Sequence, residues 1–149
     1  MSINQLACGP RGRLLIIKFE EFRLNAWQND EQAWRIGYNH AGPDAQPGMT
    51  ITQEQADQLL TNDLVRIGKG VNALTTVKLN QNQFDALVSY SFNLGLSELQ
   101  RSMMLRLLNA GNYQAAADQI PRQDRPGSKQ TAATLARRKA ERELFLAPT

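Results

Sequence analysis

Glu20 stands at the end of an amphipathic segment, where the partial negative charge of a helix C-terminus disfavours a carboxylate. Such an acid either serves a site or is simply solvated. The single histidine, His40, follows Gly37 and Tyr38 and could act as a base, although a lone histidine in such a setting more often has a structural role. Trp27 and Trp34 could stack on sugar rings or pack a sheet face. Asn93, close to a helix end, could cap the helix. Arg137 and Arg138 lie at helical spacing from Glu141 and could form surface pairs with it. Arg101, Arg106, Arg122 and Arg125 read as solvated charge. There is no His/Cys cluster at metal-ligand spacing, no phosphate-cradling glycine loop and no Ser-His-Asp constellation, so neither metal nor cofactor is expected.

The elements that must carry these groups can be read from hydrophobic spacing and punctuation. Arg13 to Phe22 predicts a first helix, with Leu14, Ile17 and Lys18 against Leu15, Phe19 and Phe22. Leu24 to His40 breaks into short pieces rich in Trp, Ile and Tyr around Gln28-Asn29-Asp30-Glu31, which suits a small antiparallel sheet with a polar turn. Gly42-Pro43 and Pro47-Gly48 mark a loop. Thr52 and Gln55 form a capping box opening a helix from Gln53 to about Val71. Asn80 can cap a central helix carrying Phe84, Leu87, Val88, Tyr90, Phe92 and Leu94, whose breadth of apolar surface predicts burial, with Gly95 ending it. Ser102 can start a short helix ending at Gly111, and Asn112 another through Asp118 to Pro121. An exposed loop is expected over Arg122 to Lys129, and a last helix from Thr131 to Leu146. No internal repeat is present.

A length of 149 residues, 42% hydrophobic and 21% charged, suits one ordinary globular domain spanning 1–149, possible in two lobes, with 1–12 as a lead-in. Cys8 is the only cysteine, which rules out an intrachain disulfide. Met1 to Pro10 has no basic stretch followed by an apolar core, so no cleavable signal peptide is expected; cytoplasmic synthesis with export by other means, or tethering to a longer protein, would follow for a wall-acting chain. No apolar run approaches a membrane span, the nearest being Leu14 to Ile17. A net charge of +3 and a pI near 9.3 favour anionic partners, envelope polymers or nucleic acid, without choosing between them.

Phe19-Glu20, Ala26-Trp27 and Trp34-Arg-Ile-Gly-Tyr-Asn-His40 together resemble the opening of the phage-type lysozymes, the endolysins of double-stranded DNA phages, in which Phe-Glu-Gly ends a helix and Trp-Thr-Ile-Gly-Tyr-Gly-His-Thr ends a hairpin. The likeness continues through Pro47-Gly-Met-Thr-Ile-Thr52, Leu79 to Gly95, Leu107-Leu-Asn-Ala-Gly111 and Ala136 to Phe145, nearly the whole chain after Gly12. It implies an α+β, mainly α, lysozyme-like fold, with a small antiparallel hairpin lobe and a helical lobe joined by a long helix. The implied substrate is the β-1,4 bond between N-acetylmuramic acid and N-acetylglucosamine in peptidoglycan. Inverting cleavage needs an acid on the leaving oxygen and a base roughly 6.5–9.5 Å away to activate water. The family uses a Glu, an Asp nine positions on and a Thr six beyond.

Here Glu20 fills the acid position, Asn29 stands at the base and Arg35 at the threonine. An asparagine has no anionic oxygen to take a proton, and an arginine adds bulk and charge where a small hydroxyl would hold water. Glu21, Asn39 and Ala41 also depart from the pattern. Moving the register by one, to Glu21 and Asp30, keeps the spacing but turns a helical side chain by about 100° and a strand side chain to the opposite face. The unshifted register is retained, with Asp30 as a poor substitute base. By resemblance, Asn93, Asp30 and Tyr38 are candidate substrate contacts, Arg137 or Arg138 holds Glu20, and His40 pairs with Asp63. The leading expectation is a muramidase-fold domain on peptidoglycan glycan strands, with hydrolysis weakened or lost and reuse for wall binding or for scaffolding a protein partner. The alternatives are a working endolysin and, on charge alone, a nucleic-acid-binding helical domain, which is not expected.

Overall fold

The computed structural model describes residues 2–122 and 131–149. Beyond Arg122, the loop expected to run to Lys129, Arg125 included, lies outside the described residues. Helix α1 (Pro10–Phe19) opens with proline at its first position, where the missing N–H costs nothing. Gly9 provides no side-chain cap, and the orphan amides are met from across the fold: Gly9 and Gly12 N–H donate to the two Asp85 carboxylate oxygens at 3.0 and 3.2 Å. The first helix thus begins and ends three residues before the range read from periodicity. Glu20 is extended (φ −81°, ψ 144°), and Phe22, expected at the helix end, instead starts a strand opposite Tyr38. The buried line on α1 is Gly12 and Ile16, while Leu14 faces outward, because the close approach to a central helix is made at the glycine.

Strands β1 (Phe22–Gln28) and β2 (Trp34–Tyr38) form an antiparallel pair with an irregularity between Arg23 and Trp27. There the free edge of β1 takes up the following segment, Ala26 N–H donating to Met49 O and Ile51 N–H to Leu24 O, both at 2.9 Å. The 22-residue helix α2 (Gln53–Leu74) opens on the Thr52 and Gln55 capping box and extends three residues past the predicted Val71. At ~1.5 Å per residue it spans roughly 33 Å, long enough to connect the hairpin to the helical lobe. Its first turns pack on β2, where Gly37 lies against Ala56 and Ile51; its later turns bury Leu64, Ile67 and Val71 in the core.

Helix α3 (Gln81–Leu94) is the central element: residues 84 to 91 are all buried, and it packs against α1, α2 and α7 (Ala132–Leu146). Asn80 caps it and Gly95, at φ 97°, ends it. Gly95 is also the N-cap of α4 (Leu96–Arg101), a six-residue helix that hydrophobic spacing did not reveal because it is under two turns long. The short helices α5 (Met103–Asn109) and α6 (Tyr113–Gln119) close the lobe, and α7 returns across α3. Architecture and element types are those of a mainly helical α+β protein with a small hairpin lobe.

Removing the Asp85 carboxylate strands two amides at the start of α1. Asp85→Ala should therefore destabilise the protein by about 1–3 kcal/mol, lowering the melting temperature by several degrees. Hydrogen exchange should accelerate first in α1; unchanged protection there would contradict this account of how α1 is docked.

Candidate active site

Glu20 sits where α1 ends against α3 and α7, and its side chain is only 4% exposed. Arg137 from α7 pairs with its Oε2, while the Asn39 side-chain amide donates to Oε1 at 3.1 Å. Arg137 also donates from Nε to Glu141 at 3.2 Å and from Nη2 to the Ser89 carbonyl at 3.1 Å. Arg138, fully buried, reaches the other side of Glu141 at 2.7 Å, lies over the Tyr90 ring at 5.2 Å and donates to Asn93 Oδ1 at 2.8 Å. The pairing with Glu141 anticipated at the surface is therefore an interior one. Burial pushes the Glu141 carboxyl up against the pull of Arg138 and Arg137, and burial likewise lowers Arg138. Both shifts express the same desolvation cost. Successive arginines thus hold one group each, Glu20 and Asn93, and share Glu141 as anchor.

Asn29 lies in the hairpin turn, its backbone paired with Ala33 and its Oδ1 accepting from Glu31 and Ala33 N–H, each at 3.0 Å. Asp30 is next to it and exposed. Arg35 is opposite Trp27 in the ladder and donates from Nη1 to the Asn39 carbonyl at 3.1 Å, leaving its buried Nε without a hydrogen-bond partner. Tyr38 stacks on Phe22 at 4.4 Å and its hydroxyl accepts from Gln53, which makes it a brace between hairpin and α2 in this structure. Of the tryptophans, Trp27 is 7% exposed beneath the Arg23 guanidinium and Trp34 is half-buried.

His40 joins the hairpin to α2, with Nδ1 2.7 Å from Asp63 and Nε2 2.8 Å from Asp44. The hydrogen bond to Asp63, chiefly, raises the histidine above its ordinary 6.5 despite desolvation, and Asp44 is lowered by the same partner. With both ring nitrogens occupied, His40 has no free atom to act on a substrate. Three residues of this network were not read from the sequence: Glu141 as interior anchor, Ser89, and Asn39. The signals for Asn39 were its departure from the resemblance pattern and its residue type, since asparagine tolerates the left-handed conformation (φ 54°) that the turn requires. Among the described residues no group of three or more His, Cys, Asp or Glu side chains could hold a metal ion.

A helix-end glutamate clamped by an arginine, facing a two-stranded hairpin that a long helix joins to a helical lobe, is the arrangement of a lysozyme-like fold. The family model for phage lysozyme matches residues 17–141, so the chain belongs to the phage lysozyme family. It is 41% identical to the endolysin of Bacillus phage B103 over 89% of its own length, but spans about half (51%) of that relative. With the endolysin of Salmonella phage P22 it shares 42% identity over 83% of its length and 87% of the relative's. Among solved structures, the muramidase domain of SpmX from Asticaccaulis excentricus superposes with a TM-score of 0.87 at 38% identity, covering 97% of this chain and all of that one.

Two tests follow. A histidine raised by its partners stabilises the fold fully below about pH 6.5, and that contribution is lost as pH rises through the folded value. An NMR titration should place His40 above 6.5, and Asp63→Asn should bring it down; a His40 that titrates lower than 6.5 would contradict the pairing. The second test ranks the buried carboxylates. Glu141→Ala leaves the buried Arg138 without a carboxylate partner and Arg137 with Glu20 alone and should cost about 3–5 kcal/mol, whereas Glu20→Ala, after which Arg137 keeps Glu141 and Ser89, should cost about 1–3 kcal/mol. Thermal unfolding checks the order, and a rise in melting temperature for Glu20→Ala would show that Glu20 does not brace the two lobes.

Proposed function

We propose that this chain is a muramidase-fold domain that engages peptidoglycan glycan strands, with hydrolysis of the N-acetylmuramic acid to N-acetylglucosamine β-1,4 bond weakened or lost. The observation that carries this reading is Asn29. At the position of the base the side chain is a neutral amide, and its one acceptor oxygen is already taken by two backbone amides of its own turn. Asp30 offers a carboxylate only on the exposed side of that turn. Arg35, braced on Asn39, fills space that a small hydroxyl would leave to water. Glu20, Asn93 and Tyr38 remain as the polar and aromatic groups around which a glycan would be held, with Arg137, Arg138, His40 and Asp63 as their supports.

Loss of the base does not abolish glycan recognition, so such a domain can be reused for wall binding or for scaffolding a protein partner. Action at the wall would require export or tethering to a longer chain; among the described residues no helix is long and apolar enough to cross a membrane. The nucleic-acid reading loses its main support, because Arg137 and Arg138, two of the cations on the basic last helix, are 4% and 0% exposed and tied to carboxylates.

Muropeptide release from purified sacculi tests the proposal. The wild-type chain should release little. An aspartate side chain can accept the same two turn amides as Asn29, so Asn29→Asp preserves the turn while supplying an anionic oxygen. Combined with Arg35→Thr, it should raise the rate by about 10²-fold or more, exceeding either change alone. Wild-type release at the level of the P22 endolysin at equal concentration would overturn the reading.

A further inference from the structure

The turn that ends the hairpin is held by several independent contacts. Ile36 and His40 exchange both backbone hydrogen bonds, at 3.1 and 2.9 Å, so the chain reverses within five residues. Gly37 and Asn39 both adopt positive φ, 64° and 54°. The Arg35 guanidinium then fastens the Asn39 carbonyl, and His40, the next residue, is held from two sides by Asp63 and Asp44. An asparagine in so fixed a backbone has few rotamers left, and the one adopted delivers its Nδ2 to Glu20 Oε1. With Arg137 on Oε2, both carboxylate oxygens are engaged by donors from opposite sides, and the side chain is almost entirely removed from solvent.

We propose that Asn39 is a positioning residue: a latch, braced by Arg35, that holds Glu20 against Arg137 and withholds its Oε1 from a bound β-1,4 glycan. The inference rests on the reading of this cleft as a glycan site and deepens it. Loss of the base and occupation of the acid are separate alterations, made by different residues through different bonds. A carboxyl that is to donate a proton to a leaving oxygen, or a carboxylate that is to accept a hydrogen bond from a sugar hydroxyl or acetamide N–H, must present an oxygen to the ligand. Here the amide stands in that place. Arg35 acts at one remove, through the backbone that aims the amide, which gives its presence at a position otherwise suited to a small residue a physical consequence beyond bulk.

Asn39→Gly is the appropriate test because glycine adopts φ near +54° without strain, so the change removes the amide and leaves the turn. The measurement is the dissociation constant for the β-1,4-linked hexamer of N-acetylglucosamine, taken for wild type, Asn39→Gly, Glu20→Gln and the double variant, with melting temperatures alongside to show that each is folded. Freed Glu20 should add a hydrogen bond to the ligand, tightening binding about three- to tenfold in Asn39→Gly. That gain should vanish in the double variant with Glu20→Gln, a coupling that a purely structural effect on the turn would not produce. Unchanged or weaker binding by Asn39→Gly, or a gain that survives Glu20→Gln, overturns the latch while leaving glycan binding in place. Failure of every variant to bind the hexamer overturns the glycan reading itself, and the latch with it.

Discussion

The buried charges between α3 and α7 set the terms for the rest of this molecule. Glu141, Arg137, Arg138 and Glu20 are four ionisable groups removed from water, and the attraction among them must offset a large desolvation cost. Apolar residues of similar volume could fill the same interior at no such expense, so the network is better understood as a device for placement than as a source of stability. Its geometry is demanding. Arg137 must meet Glu20, Glu141 and the Ser89 carbonyl together, and Arg138 must meet Glu141, Tyr90 and Asn93. These contacts together tie the relative positions of α1, α3 and α7, and through the two arginines they hold Glu20 and Asn93.

The hairpin lobe is attached by a second set of polar contacts. His40 reaches α2 through Asp63 and its own loop through Asp44, Tyr38 reaches Gln53, and Gly37 lets β2 approach Ala56. The histidine contacts depend on protonation and the α3 to α7 network is buried, so the two lobes respond differently to solution conditions. Their meeting point is Asn39, which belongs to the hairpin by backbone and to the charge network by its side chain. A single amide therefore links the hairpin to the buried charge network.

Membership of the phage lysozyme family accounts for the frame and leaves the chemistry to individual residues. In this chain the frame includes the arginine that clamps the helix-end acid. On the hairpin, three polar side chains are each engaged: Asn29 closes its turn, Arg35 braces the next, Asn39 binds Glu20. Arg35 Nε, buried without a partner, is where that accounting is incomplete.

Local physics made much of this legible from the residues alone. The capping boxes at Thr52 and Asn80, the stop at Gly95 and the polar turn after Gln28 depend on atoms within a few positions of one another, so element types and most boundaries followed from spacing. The suspect character of Glu20 followed from its place at a helix end, whereas Asn29 drew notice only through the family resemblance. What spacing could not supply were facts created by contact between distant segments. The first helix starts at Pro10 because Asp85 caps it, and stops before Phe22 because Tyr38 pairs with that residue. Glu141, at ordinary surface spacing from both arginines, is buried because α7 lies face-on to α3. Asn39 touches Glu20 only because a five-residue reversal brings it back across the end of α1. Hydrogen bonds and burial act over a few ångströms in space whatever the separation in sequence, and for these residues only the folded chain determines which groups come within that distance.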